Sequence, residues 1–435
     1  MENQKDVVKR MGFWSILLYG ITGVIGSGIF LLPASGVQLI GAASIFVLIF
    51  DALLVIAIAL CFANAASYFD RDGGPYLYAK DAFGGFIGFE VGFVTWAIRI
   101  IAEATMAVAF TTVLGSIVPF FATTAGKILM TSFLVIVLAI VNASGVRLSK
   151  VVINTVTVAK LVPLILFVAI GIFFIKGSHF TPLFPGGSYH SGSFGVAALT
   201  LFYAFTGFEG MVVAASDMKN PKKNLPRALI VTVLVVAAFY ILIQTVTIGV
   251  LGQKVAASSA VPIQQAFKVF AGSFGWDLIA AGTLLSTGGL LIASSYTTPR
   301  SGVSLAENGM MPKMIARRNQ YNAPWVSIII SAVVVLIIAW SGTFTQLALI
   351  SAVSRFAQYI PTCLAVIVFS RTKLKSKEGF NLPLGWFIPI VAILVSLWIL
   401  FQTAWVNLLW GLGALIIAIP FYFITGSFRL KKKAD

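Results

Sequence analysis

The sequence predicts an all-α membrane protein of twelve transmembrane helices, and three observations carry that prediction. Its residues are 59% hydrophobic and only 10% charged, with a mean hydropathy of +0.98, which excludes an ordinary water-soluble domain. Twelve apolar stretches follow one another, and a helix of about 20 residues suffices to cross a bilayer. The basic residues gather in every second connection between those stretches.

In chain order the spans run over 13–35, 43–68, 86–117, 127–144, 151–176, 194–216, 228–251, 275–300, 325–341, 344–369, 386–402 and 405–425. With both termini cytoplasmic, the tails and cytoplasmic loops hold about 22 of the 30 lysines and arginines. Among them are Lys5, Arg71, Arg147, Lys219, Arg317, Arg371 and Lys431. The opposite loops hold only Lys127, Lys176, Lys254 and Lys268. That asymmetry is the positive-inside pattern of a cell-membrane protein. The net charge of +16 is therefore an orientation signal and an attraction to anionic lipid, not a nucleic-acid footprint. No cleavable signal peptide is visible after the polar start Met1 to Arg10, so residues 1–435 read as one integral membrane domain. Cys61 and Cys363 fall inside apolar spans and read as small hydrophobes rather than a disulfide or metal site.

Span 1 is organised around Gly23-Val24-Ile25-Gly26-Ser27-Gly28-Ile29-Phe30. Each helix-interior glycine costs about 0.5–1 kcal/mol relative to alanine. Two explanations fit three glycines and a serine within six positions. Small residues allow helices to pack closely. Alternatively the helix breaks and presents bare backbone to a ligand, which membrane depth tolerates only where the backbone is buried or lines a cavity.

Between spans 2 and 3, Gly73-Gly74-Pro75 forces a turn, and Pro75 to Phe83 reads as a short interfacial helix with Tyr76 and Tyr78 at headgroup depth. Span 6 mirrors span 1. Its segment Leu201-Phe202-Tyr203-Ala204-Phe205-Thr206-Gly207-Phe208-Glu209-Gly210 puts glycines and an acid near the midplane. Two glycine-interrupted spans at corresponding positions of two halves are a pointer to a transporter's binding site. A repeat of five spans also makes the halves run in opposite directions.

Taken together, Gly26 to Phe30, the Gly73-Gly74-Pro75-Tyr76 loop, Phe205 to Glu209, Asn220-Pro221 and Arg300 to Pro312 resemble an amino acid–polyamine–organocation (APC) permease. Within that superfamily the chain looks similar to amino acid exchangers of the arginine/agmatine type. The resemblance implies the leucine-transporter fold: inverted repeats at about 13–176 and 194–369, helices 1 and 6 broken, and two extra helices at 386–425. It also implies an amino acid or amine substrate bound between the breaks, alternating access, no cofactor, and a homodimer like the exchangers. An amine exchanger paired with a decarboxylase stays open as an alternative. The physics of the breaks fits a zwitterion. Freed N–H groups at Ser27, Gly28 and Ile29 suit an α-carboxylate. Carbonyls near Gly23, Tyr203 and Thr206 suit an α-ammonium, with Ile25 and Gly26 in the unwound stretch between.

Charges inside spans cost about 2.5–3.5 kcal/mol each at a helix centre and are functional candidates. Lys160 in span 5 stands where sodium-coupled relatives of this fold hold a cation, and the resemblance links a lysine there to sodium-independent or proton-coupled transport. A tether to a carbonyl is the plain alternative. Glu209 at the span 6 break matches a gating acid of the arginine/agmatine exchangers, or else accepts bonds from freed backbone. Arg99 and Glu103 on span 3 depart from the family pattern. Four residues apart, they share a helix face and are expected to pair, with Arg355 of span 10 joining them. Alternatively Glu103 or an arginine reads a charged or polar group on the substrate. Asp51 in span 2 lacks an obvious partner. His179 and His190 are too far apart for a metal motif and read as solvated. No HExxH, nucleotide-binding loop or embedded catalytic dyad occurs, which disfavours an enzyme. A channel needs a continuous pore with a filter, and a sensor would bind without transporting.

Overall fold

A computed structural model describes residues 11–69, 74–145, 150–213, 218–372 and 380–424, with the side chains of 150–159 and 213 left out. The tails, Arg71, Arg147 and Lys373 lie outside the described residues, as do Asp70 and Asp217. Among the described residues the chain is helical with no strand, apart from an isolated bridge between Met11 and Met218.

The helices follow the apolar stretches closely. They are α1 (Phe13–Val24), α2 (Ser27–Ile40), α3 (Ser44–Ala66), α4 (Gly74–Phe83), α5 (Gly85–Ile117), α6 (Thr124–Ala143), α7 (Lys150–Gly171) and α8 (Ser193–Phe202). Then come α9 (Glu209–Val213), α10 (Pro221–Leu251), α11 (Gln253–Ser258), α12 (Pro262–Glu307), α13 (Trp325–Ser341), α14 (Phe344–Thr372), α15 (Phe387–Phe401) and α16 (Trp405–Ile424). Among the described residues, seven helical segments are long and apolar enough to cross a membrane, and five shorter apolar helices accompany them. The 46 residues of α12 exceed one crossing; the chain kinks at Gly272, whose φ of 61° a side chain would resist, and the stretch beyond it matches the expected span. The Gly-Pro turn before span 3 does open a short helix, α4, with Leu77 and Tyr78 buried.

Burial sorts the helices into a core and a rim. Of the most apolar windows, 72% of that in α14 and 61% of that in α2–α3 are buried, against 17% in α6 and 11% in α16. Large side chains on the outer faces stay exposed, such as Phe173, Phe274 and Trp410. In water these would be a liability; against lipid they are the solvent-matched surface. The inner faces carry hydroxyls and amides. Gln244 of α10, for example, donates to the Pro33 carbonyl at 3.2 Å and to Ser44 Oγ at 2.8 Å. Such bonds satisfy buried polar groups between helices, as a medium without water favours, although some, Asp51 and Glu90 among them, find no partner among the described residues.

Candidate functional site

The first apolar span is two helices. Its helical hydrogen bonding stops after α1, where Ile25 (φ −72°, ψ 96°) and Gly26 (φ −124°, ψ −151°) are extended, and α2 restarts at Ser27. Gly26 is the N-cap and brings no side-chain acceptor. The first N–H groups of any helix lack intrahelical partners. Those of α2 therefore point into the break, at the positive end of the helix dipole.

The carbonyl end of the same break is occupied. Lys160 of α7, fully buried, donates from Nζ to the Thr22 carbonyl at 2.6 Å and the Ile25 carbonyl at 2.7 Å. A cation at a helix C-terminus is well placed against its dipole, and bonds from a charged donor contribute about 1.5–3 kcal/mol each.

Span 6 is interrupted too. After α8 a single turn of tighter helix covers Tyr203–Phe205, Thr206 is extended (φ −74°, ψ 154°), and Gly207 has φ +112°. A side chain on Gly207 is strained by that φ and would also collide with the Gly23 carbonyl oxygen. So the two breaks touch. Ser27 Oγ and the Tyr203 hydroxyl lie 3.2 Å apart, and the Tyr240 hydroxyl of α10 shares its proton between Val24 O at 3.2 Å and Ala204 O at 3.1 Å.

Glu209, the first residue of α9, closes the second break. Its Oε2 accepts from the Gly207 N–H at 3.0 Å and from the Tyr359 hydroxyl at 3.1 Å, and its Oε1 pairs with Arg355 of α14. The expected cluster is thus rearranged. Arg355 joins Glu209 and not Arg99 and Glu103, and among the described residues no ion pair links Arg99 to Glu103. Sharing a helix face was insufficient, because α5 sends the two groups to different neighbours. Glu103 is buried with Thr298 of α12 facing its carboxyl, and Arg99 lines a cavity. Asp51 is fully buried, and among the described residues neither carboxylate oxygen has a hydrogen-bond partner. His179 is half-buried, with Nδ1 2.8 Å from the Gly249 carbonyl, rather than solvated.

The glycines of the first break separate as well. A Cβ on Gly28 would lie 2.7 Å from Ala204 Cα, so Gly28 lets α2 sit directly on the second break. On Gly26 its tightest contacts would be side-chain ends, Leu290 Cδ1 at 3.2 Å and Met106 Cε at 3.6 Å, with Val24 O at an ordinary 3.9 Å. The Tyr203 carbonyl, expected to be free, accepts from Thr206 N at 3.1 Å and Thr206 Oγ1 at 2.7 Å.

Two hollows flank this junction. A vestibule of about 580 Å³ is lined by α2, α5, α6, α11, α13, α14 and the 259–260 and 342–343 connections, with Ser35, Thr111, Lys127 and Phe344 in its wall. A smaller cavity of about 180 Å³ lies against the second break, between Arg99, Gly207, Glu209, Thr298, Arg355 and Gln358. Along α5 the cavity reaches Ala102 and the vestibule begins at Val108. At 1.5 Å per residue these lie about 9 Å apart, with Met106 between. Sequence reading missed Tyr240, Tyr359, Met106 and Leu290. No sequence signal separates the two tyrosines from the other hydroxyls of their helices, such as Thr245 and Thr247 of α10 or Ser354 and Thr362 of α14, and Met106 and Leu290 are ordinary core residues in sequence.

Comparisons with known proteins identify the family. The family model described as amino acid permease matches residues 11–426. The chain is 32% identical over 419 residues to an uncharacterized transporter of Mycobacterium tuberculosis, covering 89% of this chain and 86% of that one. It is 25% identical over 438 residues to the branched-chain amino acid permease of Bacillus subtilis, covering 97% and 94%. To the serine/threonine exchanger of the same organism it is 26% identical over 426 residues, covering 95% and 96%. The chain belongs to the amino acid permease family of the APC superfamily, and is a multi-pass membrane transporter of amino acids rather than an enzyme.

Proposed function

We propose that the chain moves an amino acid by alternating access without sodium, binding the zwitterion where the two helix breaks meet. The observation that carries this is the uncapped N-terminus of α2 facing a second interrupted helix across the Ser27–Tyr203 contact. The α-carboxylate takes the N–H groups of Ser27, Gly28 and Ile29, where both dipole and donors favour an anion. The α-ammonium takes carbonyls around Gly23 and Thr206, with Gly26 giving the ligand backbone access, while the Ile25 carbonyl stays with Lys160. Lys160 holds the Thr22 and Ile25 carbonyls that a coupling cation would need, which supports sodium independence. Glu209, clamped by Arg355, serves as a gate that must release as the second break moves.

In this reading the protein has twelve spans in one domain, with both termini cytoplasmic. α1–α7 and α8–α14 form two inverted repeats that each begin with a broken helix, and α15 and α16 are additions. The relatives include a permease for branched-chain amino acids and an exchanger for serine and threonine, so both net uptake and exchange fit the family. The test is a panel of labelled amino acids and amines in proteoliposomes, with and without internal substrate. Saturable uptake of an amino acid in potassium medium is expected, and acceleration by internal substrate identifies exchange. Flux that does not saturate would mean a channel, and binding without flux a sensor.

A further inference from the structure

We infer that the cavity beside the second break is a carboxylate subsite, so that the substrate is an amino acid with an acidic side chain. This rests on the binding mode proposed above and deepens it. Three charged side chains line the cavity: Arg99, Arg355 and Glu209. Glu209 is fully engaged, because one oxygen pairs with Arg355 and the other accepts from Gly207 and Tyr359. Arg99, by contrast, makes no ion pair or hydrogen bond among the described residues; the Tyr19 side chain stands near enough to favour its charge and Arg355 near enough to oppose it. The Nε of Arg355 is buried without a partner. Among the described residues the cavity lining therefore carries one net positive charge, with planar donors suited to a carboxylate.

Position and size support the same occupant. Gly207 lines the cavity and also touches Gly23, so a ligand at the junction of the breaks has its side chain within reach of this space. About 180 Å³ is far more than one water needs and leaves room for a short side chain. Thr298 and Gln358 in the same wall can donate to the remaining lone pairs. Glu103, one turn along α5, does not line the cavity, and its carboxyl faces Thr298. The approach from the other side has the same sign. Lys127 is the one charged residue among those lining the vestibule, beside a dozen or so hydroxyls and amides. Field of one sign along a low-dielectric path raises the local concentration of the opposite charge. Diamines and cationic amino acids would meet repulsion at both hollows.

Competition for a labelled amino acid, using the full chain in lipid nanodiscs, tests the inference. The competitors are L-glutamate against L-glutamine, L-aspartate against L-asparagine, and L-lysine. In at least one pair the acid should compete about tenfold better than its amide, a difference of about 1.4 kcal/mol, and L-lysine should compete worst. Arg99→Gln should collapse the acid-to-amide ratio towards one, while Arg99→Lys keeps part of it. Equal or better competition by the amides in both pairs overturns the inference, and so does an acid preference that survives Arg99→Gln. If Arg99→Gln fails to fold, the wild-type ratios and Arg99→Lys still decide. An amide preference with normal amino acid binding defeats this subsite alone. No binding by any amino acid, to folded protein, defeats the transport reading beneath it.

Discussion

The two helix breaks solve one problem with opposite charges. At the first, the chain ends a helix and exposes carbonyls, and the ammonium of Lys160 bonds two of them. At the second, α9 begins and exposes N–H groups, and the carboxylate of Glu209 accepts from Gly207 while Arg355 and Tyr359 hold it in place. Each fixed charge matches the dipole end it faces. What differs is the support. Lys160 answers only to backbone, whereas Glu209 belongs to a side-chain network anchored on α14. The first break is thus tied to α7 by one residue, and the second is clipped to α14 by a charge pair that separation would expose.

The strongest challenge to this contrast is to cut the clip. Glu209→Ala or Arg355→Ala alone leaves an unpaired buried charge, with an expected loss of about 3–5 kcal/mol in unfolding stability in detergent. The double variant should recover much of it, because neither charge then remains alone. Strictly additive losses would mean that the pair is not the support described. Somewhat smaller is the effect at the first break. Lys160→Ala removes two charge-assisted bonds, so about 3 kcal/mol of stability and nearly all uptake should disappear. In the wild type, replacing sodium by potassium at constant pH and potential should leave uptake unchanged. Sodium-dependent uptake would remove Lys160 from the cation's place.

The glycines sharpen the comparison further. Gly28→Val pushes atoms into the Ala204 backbone and should lower the yield of folded protein. Gly26→Ala displaces only the tips of Leu290 and Met106, so folding should persist while substrate affinity falls at least several-fold. Wild-type affinity in Gly26→Ala would assign both glycines to helix packing. The smallest effect expected is the coupling between Arg99 and Glu103. Since the two face different neighbours, a double-mutant cycle in thermal stability should give an interaction within about 0.5 kcal/mol of zero. A coupling of several kcal/mol would restore the salt bridge that their spacing invites.

From sequence alone the helical class, the apolar spans, the interruption of spans 1 and 6, and the candidacy of Lys160 and Glu209 were legible. Hydropathy and glycine placement act through one chain segment at a time, so a linear reading captures them. Partner choice is different. Arg99 and Glu103 share a helix face, yet Arg355 goes to a glutamate 146 positions away in sequence, and Lys160 reaches carbonyls in α1 and the residue beyond it. Gly26 and Gly28 look equivalent in sequence, but one faces side-chain ends and the other a backbone. Tyr240 bridges both breaks from a helix whose apolar pattern hides it. These assignments depend on which faces of distant helices meet. In a medium without water a buried polar group can find its partner only there, and only the packed structure decides which partner is within reach.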